Sequence, residues 1–175
     1  MSHSVMKKIV LIGFMGTGKS TVATILANRL GWNTIDVDYE IVQVSGMPIS
    51  QIFEEQGEAV FRQYESDVLH QLLTSDERSL VVATGGGAVL QQKNRQLMLE
   101  HSFVVWLQAS QEIIIERVKH DTSRPLLAGD LEERVAHLLE ERKDVYRFAP
   151  FSIDTTDLTA TEVADAIINE INISQ

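Results

Sequence analysis

Gly13-Phe14-Met15-Gly16-Thr17-Gly18-Lys19-Ser20 is the stretch that decides the fold of this chain. It has the spacing G-x-x-x-x-G-K-S, and its flanks have the right character. Before it, Ile9, Val10, Leu11 and Ile12 form a short unbroken apolar run, the mark of a strand buried on both faces. After it, Val22, Leu26 and Leu30 recur at four-residue steps with Ile25 beside them, until Gly31 stops the helical pattern. Strand, glycine-rich turn and helix make a phosphate-binding loop. The glycines let the backbone approach phosphate oxygens, and the inward N–H groups and the helix N-terminus attract them. Gly16, Thr17, Gly18, Lys19, Ser20 and Thr21 are the expected ATP contacts. Lys19 is expected to reach the β- and γ-phosphates and act in catalysis, and the Ser20 hydroxyl to ligate Mg²⁺ directly. The bland alternative, a turn with a chance lysine, does not account for the flanks.

Working outward, apolar runs alternate with helical patterns to the end of the chain. Strands are expected at Asn33 to Val37, Leu80 to Ala83, Phe103 to Leu107 and Phe151 to Asp154. A helix is expected from about Glu58 to Leu73, with Phe61, Tyr64, Val68 and Leu72 on one face. Ser110 reads as the N-cap of a helix holding Ile113, Ile114 and Val118. Asp130 with Glu133 reads as a capping box for a helix through about Arg147, and Thr159 with Glu162 as another. The β-α-β-α order predicts a three-layer α/β/α fold with a five-stranded parallel sheet, in a single domain over residues 1–175. The segment His120 to Asp130 breaks periodicity, holds Arg124, Pro125 and Gly129, and is expected to be a mobile lid.

Composition narrows the function. The 175 residues suit one core, and 44% of them are hydrophobic, enough to fill it. The absence of cysteine excludes a disulfide scaffold and thiolate chemistry, and fits a reducing cytoplasm. The formal net charge of −10 makes the chain a poor general binder of nucleic acid or anionic membrane. An anionic substrate therefore needs a local cluster of arginines, for which Arg62, Arg124 and Arg147 are the candidates. No apolar run approaches the roughly 18 residues of a membrane span. No pair of the five histidines has zinc-site spacing.

Asp36-Val37-Asp38 closes the second strand, and ligands of parallel sheets sit beyond the carboxyl ends of strands. Alternation along a strand would place both carboxylates on one side, one toward Mg²⁺ and one toward a substrate hydroxyl. The competing reading of this segment is a solvated turn or a helix N-cap, since Glu40 and Ile41 follow. Thr84-Gly85-Gly86-Gly87 follows another strand and can bring backbone N–H groups close to a bound group.

These pieces together resemble the shikimate kinase family. The resemblance rests on Gly13 to Thr21, Asp36-Val37-Asp38, Phe61-Arg62 with Glu65, and Thr84 to Val89. It continues with Ser123-Arg124-Pro125-Leu126-Leu127 and closes with Arg142, Tyr146 and Arg147. It implies a P-loop fold like that of nucleoside monophosphate kinases, with a lid near 120–130 and a substrate-binding helical region near 38–65. It implies ATP-dependent phosphorylation of the 3-hydroxyl of shikimate, on the route to chorismate and the aromatic amino acids, by a cytoplasmic monomer. By that likeness Asp38 and Arg124 join Lys19 in catalysis, and Arg117 and Arg124 contact ATP. Asp36 supports Mg²⁺ through water. Arg62 and Arg147 clamp the substrate carboxylate beside Gly85, Gly86 and Gly87, and Phe53 and Phe61 wall the ring. The family departs here at Asp154 to Ala160, where several members carry a basic residue and a proline near the adenine. The rival readings are another small-metabolite kinase, such as a gluconate kinase, and a non-catalytic nucleotide-binding module.

Overall fold

The computed structural model describes residues 8–77, 79–120 and 130–173. Five strands, β1 (Lys8–Ile12), β2 (Asn33–Asp36), β3 (Leu80–Ala83), β4 (Phe103–Gln108) and β5 (Phe151–Asp154), form one sheet in the order β2-β3-β1-β4-β5. Every pairing is parallel, so each strand returns through a helical crossover. The helices are α1 (Lys19–Leu30), α2 (Val37–Ser45), α3 (Ile49–Gln56), α4 (Glu58–Thr74), α5 (Gln92–His101), α6 (Gln111–Val118), α7 (Leu131–Arg142) and α8 (Ala160–Ile173). A 3-10 turn spans Ala88–Leu90. The expected α/β class and five-stranded parallel sheet are both present. The lid segment 121–129, with Arg124, lies outside the described residues. Among the described residues no helix is long and apolar enough to cross a membrane.

Strand alternation builds two cores on the two faces of the sheet. Val10, Ile12, Leu80, Val82 and Val104 face one side and pack with Ile41, Ile52, Phe61, Leu69 and Met98 from α2 to α5. Ile9, Leu11, Val81, Ala83, Val105 and Leu107 face the other and pack with α1 and α8. All five residues of β1 are buried, as its unbroken apolar run requires. Lys8 joins them because its ammonium donates to Leu72 O, Leu73 O and Ser75 O at 3.0, 2.8 and 2.7 Å. A cation there meets the negative end of α4 and ties that helix to the central strand. A third cluster packs Phe14 and Met15 of the phosphate loop against Ile114 and Val118 of α6 and Val135 and Leu138 of α7.

The caps follow the sequence. The Ser110 side chain accepts from Ile113 N, Asp130 accepts from Glu133 N, and Thr159 and Glu162 bond reciprocally at 2.7 and 3.2 Å. Two of the boundaries that differ from expectation bear on the site. The second strand ends at Asp36 rather than Val37, because Asp36 caps α2 and accepts from Asp38 N and Tyr39 N. The helix expected to run to Arg147 ends at Arg142. Beyond it the chain tightens into turns with i to i+3 bonds, Val145 N to Arg142 O and Arg147 N to Asp144 O.

Candidate active site

The carboxyl ends of β1, β2 and β3 deliver the phosphate loop, Asp36 and the triple glycine to one place. The loop needs its glycines for two different reasons. Gly16 and Gly18 adopt φ of 79° and 89°, the left-handed region that side chains disfavour. At Gly13 an added Cβ would stand 2.3 Å from Leu107 O. Lys19 is buried at the bottom of the loop, donating to Gly13 O at 2.8 Å and Phe14 O at 2.9 Å. Around it opens a cleft of about 340 Å³, lined by Gly16, Gly18, Lys19, Ser20 and Thr21, by Asp36 and Asp38, by Thr84, Gly85 and Gly86, and by Arg117. Arg117 is held there by a 2.9 Å bond to Gly16 O. Thr17 is the exception among the loop residues expected to face the nucleotide. Its side chain is buried, with Oγ1 donating to Phe14 O at 2.8 Å, and it lines a different cavity behind the loop.

Asp36 does two jobs that the sequence presented as alternatives. One oxygen caps α2, and the other accepts from Ser20 Oγ at 2.5 Å. Among the described residues no cluster of three or more His, Asp or Glu side chains is set to hold a metal ion. A hydroxyl beside one carboxylate is instead the sparse oxygen donor set that suits Mg²⁺, which keeps waters and phosphate oxygens as its other ligands. Asp38 does not sit on a strand beside Asp36. It lies in the first turn of α2, and so reaches the site by helical rather than strand geometry.

A larger cavity of about 390 Å³ adjoins the cleft, and Asp38, Gly85 and Gly86 line both. One wall is apolar, with Val42, Pro48, Ile49, Phe53 and Phe61. The Phe53 and Phe61 rings lie 4.8 Å apart at 40°. The opposite wall is ionic, with Arg62 and Glu65 of α4 and Arg142 of α7. All three are nearly buried, at 8%, 1% and 4% exposure. Arg62 Nη1 donates to Glu65 Oε1 at 2.9 Å. Arg62 Nε, Arg142 Nη1 and Glu65 Oε2 make no hydrogen bond within the protein. Buried groups of this kind are costly unless a partner completes them, so the cavity is built for a ligand with charge and hydrogen-bonding groups. Burial pushes the Glu65 carboxyl up to about 7, against the pull of the Arg62 guanidinium, and Asp38 adds to the rise. Gly87 is required by the same wall, since a Cβ there would lie 2.4 Å from Arg62 Nη2. Tyr146, whose hydroxyl burial raises to about 12, donates to Gly86 O at 2.6 Å and fixes the triple-glycine turn.

The structure brings together most residues singled out in the sequence: Lys19, Ser20, Thr21, Asp36, Asp38, Arg117, Phe53, Phe61, Arg62 and Gly85 to Gly87. Arg147 is the correction. It does not line the larger cavity; its side chain is 69% exposed and pairs with Asp144 at 3.2 Å. Arg142 stands where Arg147 was expected, because α7 stops at Arg142 and the following turns carry Arg147 away. Glu65 also lines the cavity, a residue to which the sequence motifs assign no role. Its signal was an acid on the apolar stripe of α4, buried with Phe61, Val68 and Leu69.

The shikimate kinase profile matches residues 15–172. A shikimate kinase of Thermodesulfovibrio yellowstonii is 46% identical over 94% of this chain and 95% of its own length. The structure of a shikimate kinase from Acinetobacter baumannii in complex with shikimate superposes with a TM-score of 0.93 and 37% identity, over 98% of this chain and 96% of that one. A gluconokinase from Sinorhizobium meliloti is similar at a TM-score of 0.61 but only 20% identity, over 96% of this chain and 93% of that one, a likeness of fold alone. The sequence match and the paired cavities lead to one assignment: the chain belongs to the shikimate kinase family.

Proposed function

We propose that this protein transfers the γ-phosphoryl group of ATP to the 3-hydroxyl of shikimate. The observation that carries the reading is the junction of the two cavities. Asp38, Gly85 and Gly86 line both, so a ring hydroxyl at the edge of one lies next to a phosphoryl group at the edge of the other. The larger cavity suits a hydroxylated ring carrying one carboxylate. Phe53 and Phe61 meet the ring, Arg62 and Arg142 meet the carboxylate, and Asp38 meets hydroxyls. Two guanidinium groups with unused donors offer the forked hydrogen bonding that a carboxylate matches. Gluconate also carries a carboxylate, but its open polyhydroxylated chain has no ring to set against the apolar wall of Phe53 and Phe61, and a non-catalytic module does not explain a substrate wall at all.

In the reaction, the hydroxyl oxygen bonds to the γ-phosphorus as the bond to the ADP oxygen breaks. The hydroxyl proton passes to the Asp38 carboxylate. Lys19 turns from the Gly13 and Phe14 carbonyls toward the phosphates and offsets the charge of the transferring group. Arg117 binds ATP at the cleft wall. Ser20 directly, and Asp36 through water, would hold Mg²⁺, which would neutralise phosphate charge. Arg124 is proposed to act from a lid over 120–130, excluding water so that ATP is not hydrolysed. One chain supplies both cavities, so we take the working unit to be a monomer, placed in the cytoplasm where ATP is supplied.

The test is ADP release from purified protein given ATP, Mg²⁺ and shikimate, gluconate or nucleoside monophosphates in parallel, with the product examined by ³¹P NMR. Shikimate 3-phosphate is the expected product. Faster turnover of gluconate, or no shikimate-dependent ADP, would overturn the reading.

A further inference from the structure

A third cavity, of about 290 Å³, lies behind the phosphate loop. Phe14, Thr17, Trp106, Tyr146, Lys143 and Arg147 are among its walls, and it shares no lining residue with the nucleotide cleft or the substrate cavity. Its interior is aromatic. Phe14 and Tyr146 are almost fully buried, and Trp106 stacks on Tyr146 with ring centroids 5.7 Å apart and planes 20° apart. Its edge is cationic. The Lys143 and Arg147 side chains are 54% and 69% exposed, each bonded to an exposed acid three residues earlier, Glu140 and Asp144. Exposed pairs of this kind are weak, so a ligand carboxylate can exchange into them at little cost. The volume is about three-quarters of the substrate cavity, room for one or two fused rings. Arg147, which the substrate site leaves unused, finds its place here.

We infer that this cavity is a second ligand site. It takes a small aromatic carboxylate, its ring among Phe14, Trp106 and Tyr146 and its charge at Lys143 and Arg147, and its occupancy slows phosphoryl transfer. The route to the chemistry is short. Thr17 Oγ1 and Lys19 Nζ donate to the same Phe14 carbonyl, at 2.8 and 2.9 Å. Tyr146 donates to Gly86 O at 2.6 Å, and Gly86 lines both working cavities. A ring pressed against Phe14 and Tyr146 therefore bears on the phosphate loop and on the glycine turn together. Close-packed groups transmit such a displacement rather than absorb it. No phosphate or substrate contact is blocked, so inhibition is noncompetitive toward both substrates.

The probe is indole-3-acetate, with neutral indole-3-ethanol as its match. Binding is measured by calorimetry and ligand-observed NMR on the full chain without nucleotide or shikimate, so the result does not depend on the proposed reaction. The acid should bind at least about tenfold more tightly than the alcohol. Lys143→Glu should weaken acid binding by about tenfold or more, while kcat and KM without probe stay within about twofold. Initial rates should show noncompetitive inhibition against ATP and against shikimate. Any of four results overturns the inference: no binding, equal binding of acid and alcohol, binding unchanged in Lys143→Glu, or competition with either substrate.

Discussion

Arg142→Lys, set beside Arg147→Ala, tests which arginine the substrate carboxylate meets. Arg142 is 4% exposed, and its Nη1 has no hydrogen-bond partner in the protein. Lysine keeps the positive charge and most of the packing but loses the planar fork. Loss of one partner from a desolvated, hydrogen-bonded charge pair costs about 2–5 kcal/mol. At about 1.4 kcal/mol per tenfold, shikimate affinity should fall roughly thirtyfold to several thousandfold. Nucleotide binding should be spared, because Arg142 does not line the nucleotide cleft. Arg147 is a different case. Its partner Asp144 is 70% exposed, and pairs so exposed contribute about 0–1 kcal/mol. Arg147→Ala should therefore change shikimate affinity by no more than about fivefold. Calorimetric titration of shikimate and of a non-hydrolysable ATP analogue, with thermal melts to establish folding, reads all of these values. If Arg147→Ala lost affinity while folded Arg142→Lys bound shikimate like wild type, the reasoning from the cavity walls would be refuted.

Lys19→Ala should fold normally and lose about a hundredfold or more in kcat, since its charge is used on the transferring group; near-normal turnover in a steady-state assay would sink the phosphate-loop mechanism. Gly87→Ala has an acceptable backbone, with φ of −97°, but its Cβ collides with the Arg62 guanidinium, so KM for shikimate should rise on the order of tenfold with little change in melting temperature. An unchanged KM would show that Arg62 need not hold its observed position. Glu65 titrates near 7 in the folded protein against an ordinary value near 4.5, so its contribution to stability is fully present below the unfolded value and is lost as pH rises through about 7. Denaturant unfolding should show the stability of wild type relative to Glu65→Gln shrinking from pH 5.5 to 8.5; a gap that is constant or grows with pH would contradict the raised carboxyl.

The fold was legible where one signal decided each element. The apolar run Ile9 to Ile12, the loop glycines and three capping residues, Ser110, Asp130 and Thr159, placed a strand and four helix starts. The helices α3 and α5 had no such signal, and α2 had only the ambiguous one of Asp36. They are eight to ten residues long, and α3 starts after Pro48 with no side-chain cap. Asp36 shows the limit from another side. Its neighbours suggested either a strand end facing a metal or a helix cap. One carboxylate serves Ser20 with one oxygen and α2 with the other, so the alternatives were never exclusive.

The arginine of the substrate wall is legible in the sequence by helix geometry rather than by the spacing of motifs. Each helical residue turns about 100°, so positions 142 and 147 differ by about 500°, or 140° around the axis. The two cannot face one cavity from a single straight helix. Val135 and Leu138 mark the buried stripe of α7, and Arg142, seven residues after Val135, continues it. A charged residue on an apolar stripe needs a buried partner or a ligand, which makes Arg142 the candidate and Arg147 the surface residue. The same test finds Glu65, three residues after Arg62 and four after Phe61 on the buried face of α4. In a chain of net charge −10, exposure with an acidic neighbour does not by itself mark an arginine for the substrate wall. The arginines to seek there are those lying where a leucine would have packed.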